Sequence, residues 1–202
     1  MNATHILLFA KAPVAGRVKT RLIPALGAAG AAELAGRMLE HAWRTAIAAN
    51  IGSLELCASP PLAHPDWRQI PLPAGIANSD QGEGDLGARM ARAAQRALDS
   101  HARVLLIGAD CPALTAQHLR DAAAALHSHD AVMLPARDGG YLLLGLTRFA
   151  ASLFEAMPWS TARVAELTQA RMTALGWRVV LLEALPDIDR PEDLIHLPPA
   201  YR

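Results

Sequence analysis

Cysteine, net charge and long hydrophobic runs are all in short supply in this 202-residue sequence. Only Cys57 and Cys111 are present. That excludes a disulfide framework and a CxxC zinc site, and predicts two reduced thiols. Nineteen basic and nineteen acidic residues cancel, so no global field draws the chain to nucleic acid or to an anionic membrane. Any bound anion must be held by local arrangement. The early apolar run from Ile6 to Ala10 has no basic residue ahead of it, ends at Lys11, and is far shorter than a signal-peptide core or a membrane span. The expectation is a cytoplasmic protein with no membrane insertion and no nucleic-acid partner. Internal repeats and a Gly-x-Ser-x-Gly elbow are also missing, and neither cysteine has a supporting base, so hydrolase and thiol chemistry have no footing.

What the sequence does contain is alternation. Apolar runs suited to strands cover His5 to Ala10, Ser53 to Ala58, Arg103 to Ile107, Ala131 to Leu134, Tyr141 to Leu146 and Trp177 to Leu185. Ala-rich stretches suited to helices cover Ala28 to Asn50, Leu86 to Ser100, Thr115 to Ser128, Phe149 to Met157, Thr161 to Leu175 and Pro191 to Leu197. This is the rhythm of one α/β domain over residues 1–202 with a mostly parallel sheet. Thr115 suits an N-cap, Gly176 a helix stop and Pro191 a first helical turn. Residues 59–81 carry five prolines and read as a surface excursion that includes at most a short edge strand, hinted at by Gln69-Ile70. Only residues 135–140 join two strand runs, too few for a helical crossover, so an antiparallel pair makes the sheet mixed.

Two clusters carry the chemistry, and the reading sets them at opposite ends of the sheet. The first is the basic loop KAPVAGRVKTR at residues 11–21. Gly16 allows close backbone approach, and Arg17, Lys19 and Arg21 alternate, so an extended chain would point all three to one side, as a di- or triphosphate requires. A Walker A loop is excluded because Arg17 and Val18 separate Gly16 from Lys19. The plain alternative is a solvated basic loop. The second cluster is Asp110, in GADCP directly after an apolar run, where ligands of open α/β sheets bind. Its alternative is a turn or N-cap aspartate. Asp187 and Asp189 again follow an apolar run, and two such carboxylates with phosphate oxygens suit Mg2+ or Mn2+. Helix-start capping is the competing role for Asp189.

Residues 82–87, GEGDLG, match the dinucleotide fingerprint letter by letter, but turn formers precede them where a buried strand should aim the loop. The loop is read instead as a flap whose amides, around Gly84 and Asp85, close over a ligand. Asp138, Gly139, Gly140 and Tyr141 occupy the tight connection between two strands, suited to a sugar or acceptor, or to a plain hairpin. His127 and His129 sit at a helix end and read as solvated.

Five segments in this order carry a resemblance: residues 9–22, 82–90, 108–112, 138–146 and 187–194. They resemble a bacterial family of glycosyltransferase-like proteins, the radical-SAM or selenodomain-associated transferases linked with arsenosugar biosynthesis, within the nucleotide-diphospho-sugar transferase superfamily. The architecture also resembles molybdenum-cofactor and phospholactate guanylyltransferases. Arg190 stands where relatives commonly carry Ser or Thr. The resemblance implies a GT-A fold, a Rossmann-like three-layer α/β/α arrangement with a mixed, mostly parallel sheet. It implies a metal-dependent transferase with Asp110 and Lys19 as catalytic residues and a nucleotide held by Lys11, Gly16, Arg17, Lys19, Arg21, Gly84 and Asp85. The sugar or acceptor would lie against Asp138 to Tyr141, and Mg2+ or Mn2+ at Asp110 with Asp187 or Asp189. The expected partners are a nucleotide or nucleotide-sugar donor and a small-molecule acceptor. Glycosyl transfer and nucleotidyl transfer both fit; a non-catalytic nucleotide-binding protein is the third reading, against which the intact Asp110 argues.

Overall fold

The computed structural model describes residues 4–201. Seven strands form one sheet in the order β3-β2-β1-β4-β6-β5-β7. They are β1 (His5–Lys11), β2 (Leu54–Ser59), β3 (Ala77–Asp80), β4 (Val104–Gly108), β5 (Ala131–Pro135), β6 (Tyr141–Leu146) and β7 (Val179–Leu181). The helices are α1 (Ile23–Ala49), α2 (Leu86–Leu98), α3 (Ala116–Ala125) and α4 (Val164–Ala174). Strand β6 runs antiparallel to both β4 and β5; every other pairing is parallel. The mixed sheet therefore follows from the short link before β6.

Strand side chains alternate between faces, and the two faces bury different helices. Ile6, Leu8, Leu56, Leu105 and Ile107 pack with Leu39, Ala42 and Ala46 of α1 and Leu119 of α3. Leu7, Val104, Leu106, Met133 and Leu144 pack with Met90, Ala93 and Ala94 of α2 and Met172 of α4. This is the expected three-layer α/β/α architecture. Buried positions in α1 fall at 31, 32, 34, 38, 39, 42, 45, 46 and 49, the spacing of a broad apolar helical face. By length and mean hydropathy the stretch Thr20–Ala49 could cross a membrane, but its apolar face covers the sheet.

Several expectations are corrected. The two chemical clusters are not at opposite ends, because β1 and β4 are direct parallel neighbours and both loops leave the same carboxyl edge. The last strand is far shorter than Trp177 to Leu185, since only Val179–Leu181 pair with β5, and Leu185 forms just an isolated bridge to Ala136. Phe149 to Met157 is no α-helix but a 3-10 turn at Ala151–Leu153, cut short by Ala156 at φ 46 and by Pro158. Pro191–His196 is likewise 3-10. The edge strand lies at Ala77–Asp80 rather than at Gln69-Ile70. A strand therefore does precede the glycine loop, but it sits at the sheet's margin, not at the centre where a dinucleotide fold places its fingerprint. The reversal of strand order falls at β1, whose flanks are β2 and β4. That is the crevice where open α/β sheets hold ligands.

Candidate active site

The basic loop is folded tightly rather than extended. Gly16 (φ 78) and Lys19 (φ 47) both take left-handed backbone, and Thr20–Leu22 forms one 3-10 turn. A lysine at positive φ is uncommon and is held there by its surroundings. Leu22 is fully buried and clusters with Leu34, Met38 and Ile188. This packing brings the C-terminal segment carrying Asp187 and Asp189 against the loop, and the Ile188 amide donates to the Asp110 carbonyl at 3.0 Å. Three distant pieces of sequence meet there because two apolar side chains, Leu22 and Ile188, share one small core.

As a result the three cations diverge. Lys19, its side chain 5% exposed, reaches Asp110 Oδ1 at 2.9 Å and Asp189 Oδ1 at 3.6 Å. Its ammonium also donates to the Ile188 carbonyl at 2.6 Å. Arg21 pairs with Asp189. Arg17 turns away to Asp66 at 3.0 Å. With Lys11, Ser59, His64 and Asp66 it lines a neighbouring cavity of about 270 Å3. Lys11 and Arg17 thus flank the carboxylate cluster instead of entering it.

Asp110 is 57% exposed at its side chain and caps nothing: Thr115 is the N-cap of α3, accepting from the His118 amide. Asp189 does not cap the last turn either. The Asp193 carboxylate accepts from both the Asp189 and Arg190 amides, at 3.0 and 2.7 Å, the arm of a capping box that does not depend on a Ser or Thr at position 190. Asp187 is half-buried and makes no ion pair with a described residue. Burial first, then the neighbouring Asp138 carboxylate, push its pKa up to about 6.

Around the rim, Asp138 accepts from the Gly140 amide at 2.8 Å. Gly139 (φ 92) runs so close to Ala162 that an added Cβ would lie 2.2 Å from the Ala162 carbonyl oxygen. Tyr141 packs edge-on against Trp159 with centroids 6.4 Å apart, and burial pushes its phenol pKa up. Asp85 caps α2, accepting from the Ala88 amide at 2.8 Å. Gly84 (φ 97) lies in the loop before it. Arg92 donates to the Gln81 and Glu83 carbonyls and Arg89 to the Gly84 carbonyl. These two loop braces escaped the sequence reading; their spacing of three on one helix face was the available signal.

Divalent metal was expected at Asp110 with Asp187 or Asp189. Among the described residues no three His, Cys, Asp or Glu side chains form a closed metal cluster. Magnesium commonly takes one or two protein carboxylates and completes its shell with water and phosphate, so an open pair suits the group. The electrostatics fit as well: Lys19 and Arg21 pair with Asp110 and Asp189, and the Asp187 and Asp138 carboxylates lie nearby. Carboxylates outnumber cations, and a polyphosphate added alone would meet net repulsion.

The profile of the DUF2064 family, uncharacterized proteins conserved in bacteria, matches residues 42–161. The chain belongs to this family. A protein from Desulfovibrio desulfuricans G20, provisionally named a nucleotide-diphospho-sugar transferase, is 32% identical over 96% of this chain and 85% of that one, with a TM-score of 0.88. CMP:2-keto-3-deoxy-manno-octonic acid synthetase complexed with CTP superposes at TM-score 0.60 with 11% identity, covering 96% of each chain. Rv0371C of Mycobacterium tuberculosis H37Rv, complexed with manganese, superposes at TM-score 0.58 with 18% identity over 98% of each chain. These last two establish the fold alone. No curated protein sequence matches. The family is therefore one with the nucleotide-diphospho-sugar transferase and nucleotidyltransferase fold.

Proposed function

We propose that this DUF2064 protein is a metal-dependent transferase that binds a nucleoside diphosphate-sugar or a nucleoside triphosphate at the carboxyl ends of β1 and β4. The transferase class follows from the family relative and from the shared fold. The observation that carries the rest is the meeting of Lys19 and Arg21 with Asp110 and Asp189 at the crevice where strand order reverses. Cations there accept phosphate oxygens, and the surplus of carboxylate calls for a divalent cation with them. Asp110, with Asp187 or Asp189, would hold Mg2+ or Mn2+, which when bound neutralises charge on the phosphate that leaves.

The chain's own groups do the rest by position and charge. Lys19 and Arg21 draw the phosphate tail to the β1 loop. Gly16 and Gly84, both at positive φ, let backbone approach the nucleotide where a Cβ would intrude. Asp138 and the glycines after it border the side where a sugar or acceptor enters. No covalent nucleophile is needed: burial pushes the Cys111 thiol up to about 11, so it stays protonated beside Asp110.

In glycosyl transfer the bond between sugar and nucleoside diphosphate breaks. In nucleotidyl transfer an acceptor phosphate attacks the α-phosphorus and pyrophosphate leaves. With Arg17 diverted to Asp66, two cations and a metal would face the two phosphates that depart in either reaction. Incubation with Mn2+, a nucleotide panel and phosphorylated or free sugars separates the two: released pyrophosphate marks nucleotidyl transfer, and released nucleoside diphosphate marks glycosyl transfer. Neither product with any pair would leave a non-catalytic nucleotide-binding protein.

A further inference from the structure

The Lys19 ammonium is engaged within the protein: it donates to the Ile188 carbonyl at 2.6 Å and forms ion pairs with Asp110 Oδ1 at 2.9 Å and, more loosely, Asp189 Oδ1 at 3.6 Å. Its side chain is 5% exposed, whereas Asp110 is 57% exposed. The cation is therefore the buried partner and the carboxylate the accessible one, the reverse of a phosphate-binding lysine reaching into a cleft. The left-handed backbone at Lys19 (φ 47, ψ 39) aims the stem inward, and the Leu22–Ile188 contact fixes the turn that follows.

We infer that Lys19 is a resident counter-cation, competing with the divalent metal for Asp110, so that the metal is taken up together with the nucleotide and not before it. This rests on the carboxylates being the metal site. While Lys19 sits on Asp110, a divalent ion meets one carboxylate already neutralised and a fixed positive charge about 3 Å from its oxygen. Like charges at that range disfavour the ion. A polyphosphate changes the balance by offering the ammonium other oxygens. Lys19 leaves Asp110 for phosphate, and the freed carboxylate becomes a metal ligand. Binding of the two ligands is then positively coupled, with each raising the affinity of the other by the same factor. The arrangement keeps the site closed to free metal and pairs metal uptake with arrival of the donor.

The test is calorimetric or paramagnetic titration of free Mn2+ in the absence of nucleotide, on the wild type, Lys19→Met, Asp110→Asn and the double variant. Lys19→Met is expected to bind Mn2+ roughly tenfold tighter or better than the wild type, within the usual range of coupling between sites, and the double variant to lose that gain. Lys19→Gln, which keeps a donor for the Ile188 carbonyl while removing the charge, gives the same reading where Lys19→Met folds poorly. Equal or weaker Mn2+ binding by both uncharged variants overturns the inference. If that happens while Asp110→Asn still abolishes metal binding, the metal site stands and only the competition by Lys19 falls. A gain at Lys19→Met that survives in the double variant places the metal away from Asp110, overturning both the inference and the metal assignment beneath it.

Discussion

Asp110→Asn is expected to abolish metal-dependent turnover while leaving the protein folded. The loss should exceed the roughly 10–100-fold that removal of a metal's outer-shell partner costs, because the carboxylate is read as a direct ligand. Folding should survive. The side chain is more than half exposed, Lys19 keeps Asp189 and the Ile188 carbonyl, and an asparagine oxygen still accepts from the ammonium. A stability change near 1 kcal/mol, the net worth of an ordinary hydrogen bond, is the most that should be seen. Steady-state assay of the variant at saturating Mn2+, with a parallel thermal melt, separates the two effects. Activity within a few-fold of the wild type, in a folded variant, contradicts the assignment.

Glu55→Ala should produce the largest loss of stability, far from the site. Glu55 is a carboxylate inside β2, 8% exposed at its side chain. His5 Nε2 lies 3.1 Å from it, and Arg96 and Ser79 also donate to it. His5 is itself buried, stacked on His101 with centroids 4.2 Å apart and bonded to Ser53. Burial alone would raise the Glu55 pKa. The hydrogen bonds from His5, Arg96 and Ser79, with the charge of Arg96, outweigh it and hold the carboxyl well below the usual carboxylate range. Removing Glu55 strands His5 and one end of a buried network. Such losses cost about 3–5 kcal/mol, here toward about 3 because Arg96 is half-exposed and can turn to water. At this chain length that corresponds to a midpoint lowered by roughly 6–12 °C. A depressed folded-state pKa contributes stability above the unfolded value, near pH ~4.3, and loses it as pH falls below that value. The penalty of Glu55→Ala should therefore be full at neutral pH and shrink on acidification. Melts at pH 7 and at decreasing acidic pH check this; a variant as stable as the wild type at pH 7 contradicts it.

Glu55 also marks how far the sequence could be read. A charge within the run LELCAS at residues 54–59 signals a buried partner, but that partner, Arg96, lies 41 positions away on α2, and only the packing of α2 on the sheet joins them. Strands buried on both faces were legible because continuous apolar runs are what such strands require. Strand β3 was not, because an edge strand paired only to β2 carries no apolar signature, and Asn78, Ser79 and Asp80 look like a turn. Nor could letters alone show that the apolar run after Trp177 leaves the sheet at Leu181.

The site divides in the same way. Asp110 was legible because a carboxylate directly after a central strand has few structural uses there. Arg17, Lys19 and Arg21 were found as a group but not in their directions, because alternation predicts one side only for an extended chain and the loop is a left-handed turn followed by 3-10 backbone. Asp193 was overlooked, although its two amide contacts shape the Asp189 turn. Its spacing to Arg190 is that of a capping box, the cue that was present.

The most direct test of a nucleotide site at the β1–β4 crevice is a thermal-shift panel of nucleoside triphosphates and nucleotide-sugars, each with and without Mg2+ or Mn2+. A ligand at a hundred times its Kd stabilises by about 2.7 kcal/mol, roughly 5–11 °C for a chain of this size. The predicted result is a shift of that order that needs nucleotide and metal together and disappears in Asp110→Asn. The same shift without metal, or no shift with any nucleotide, would contradict it.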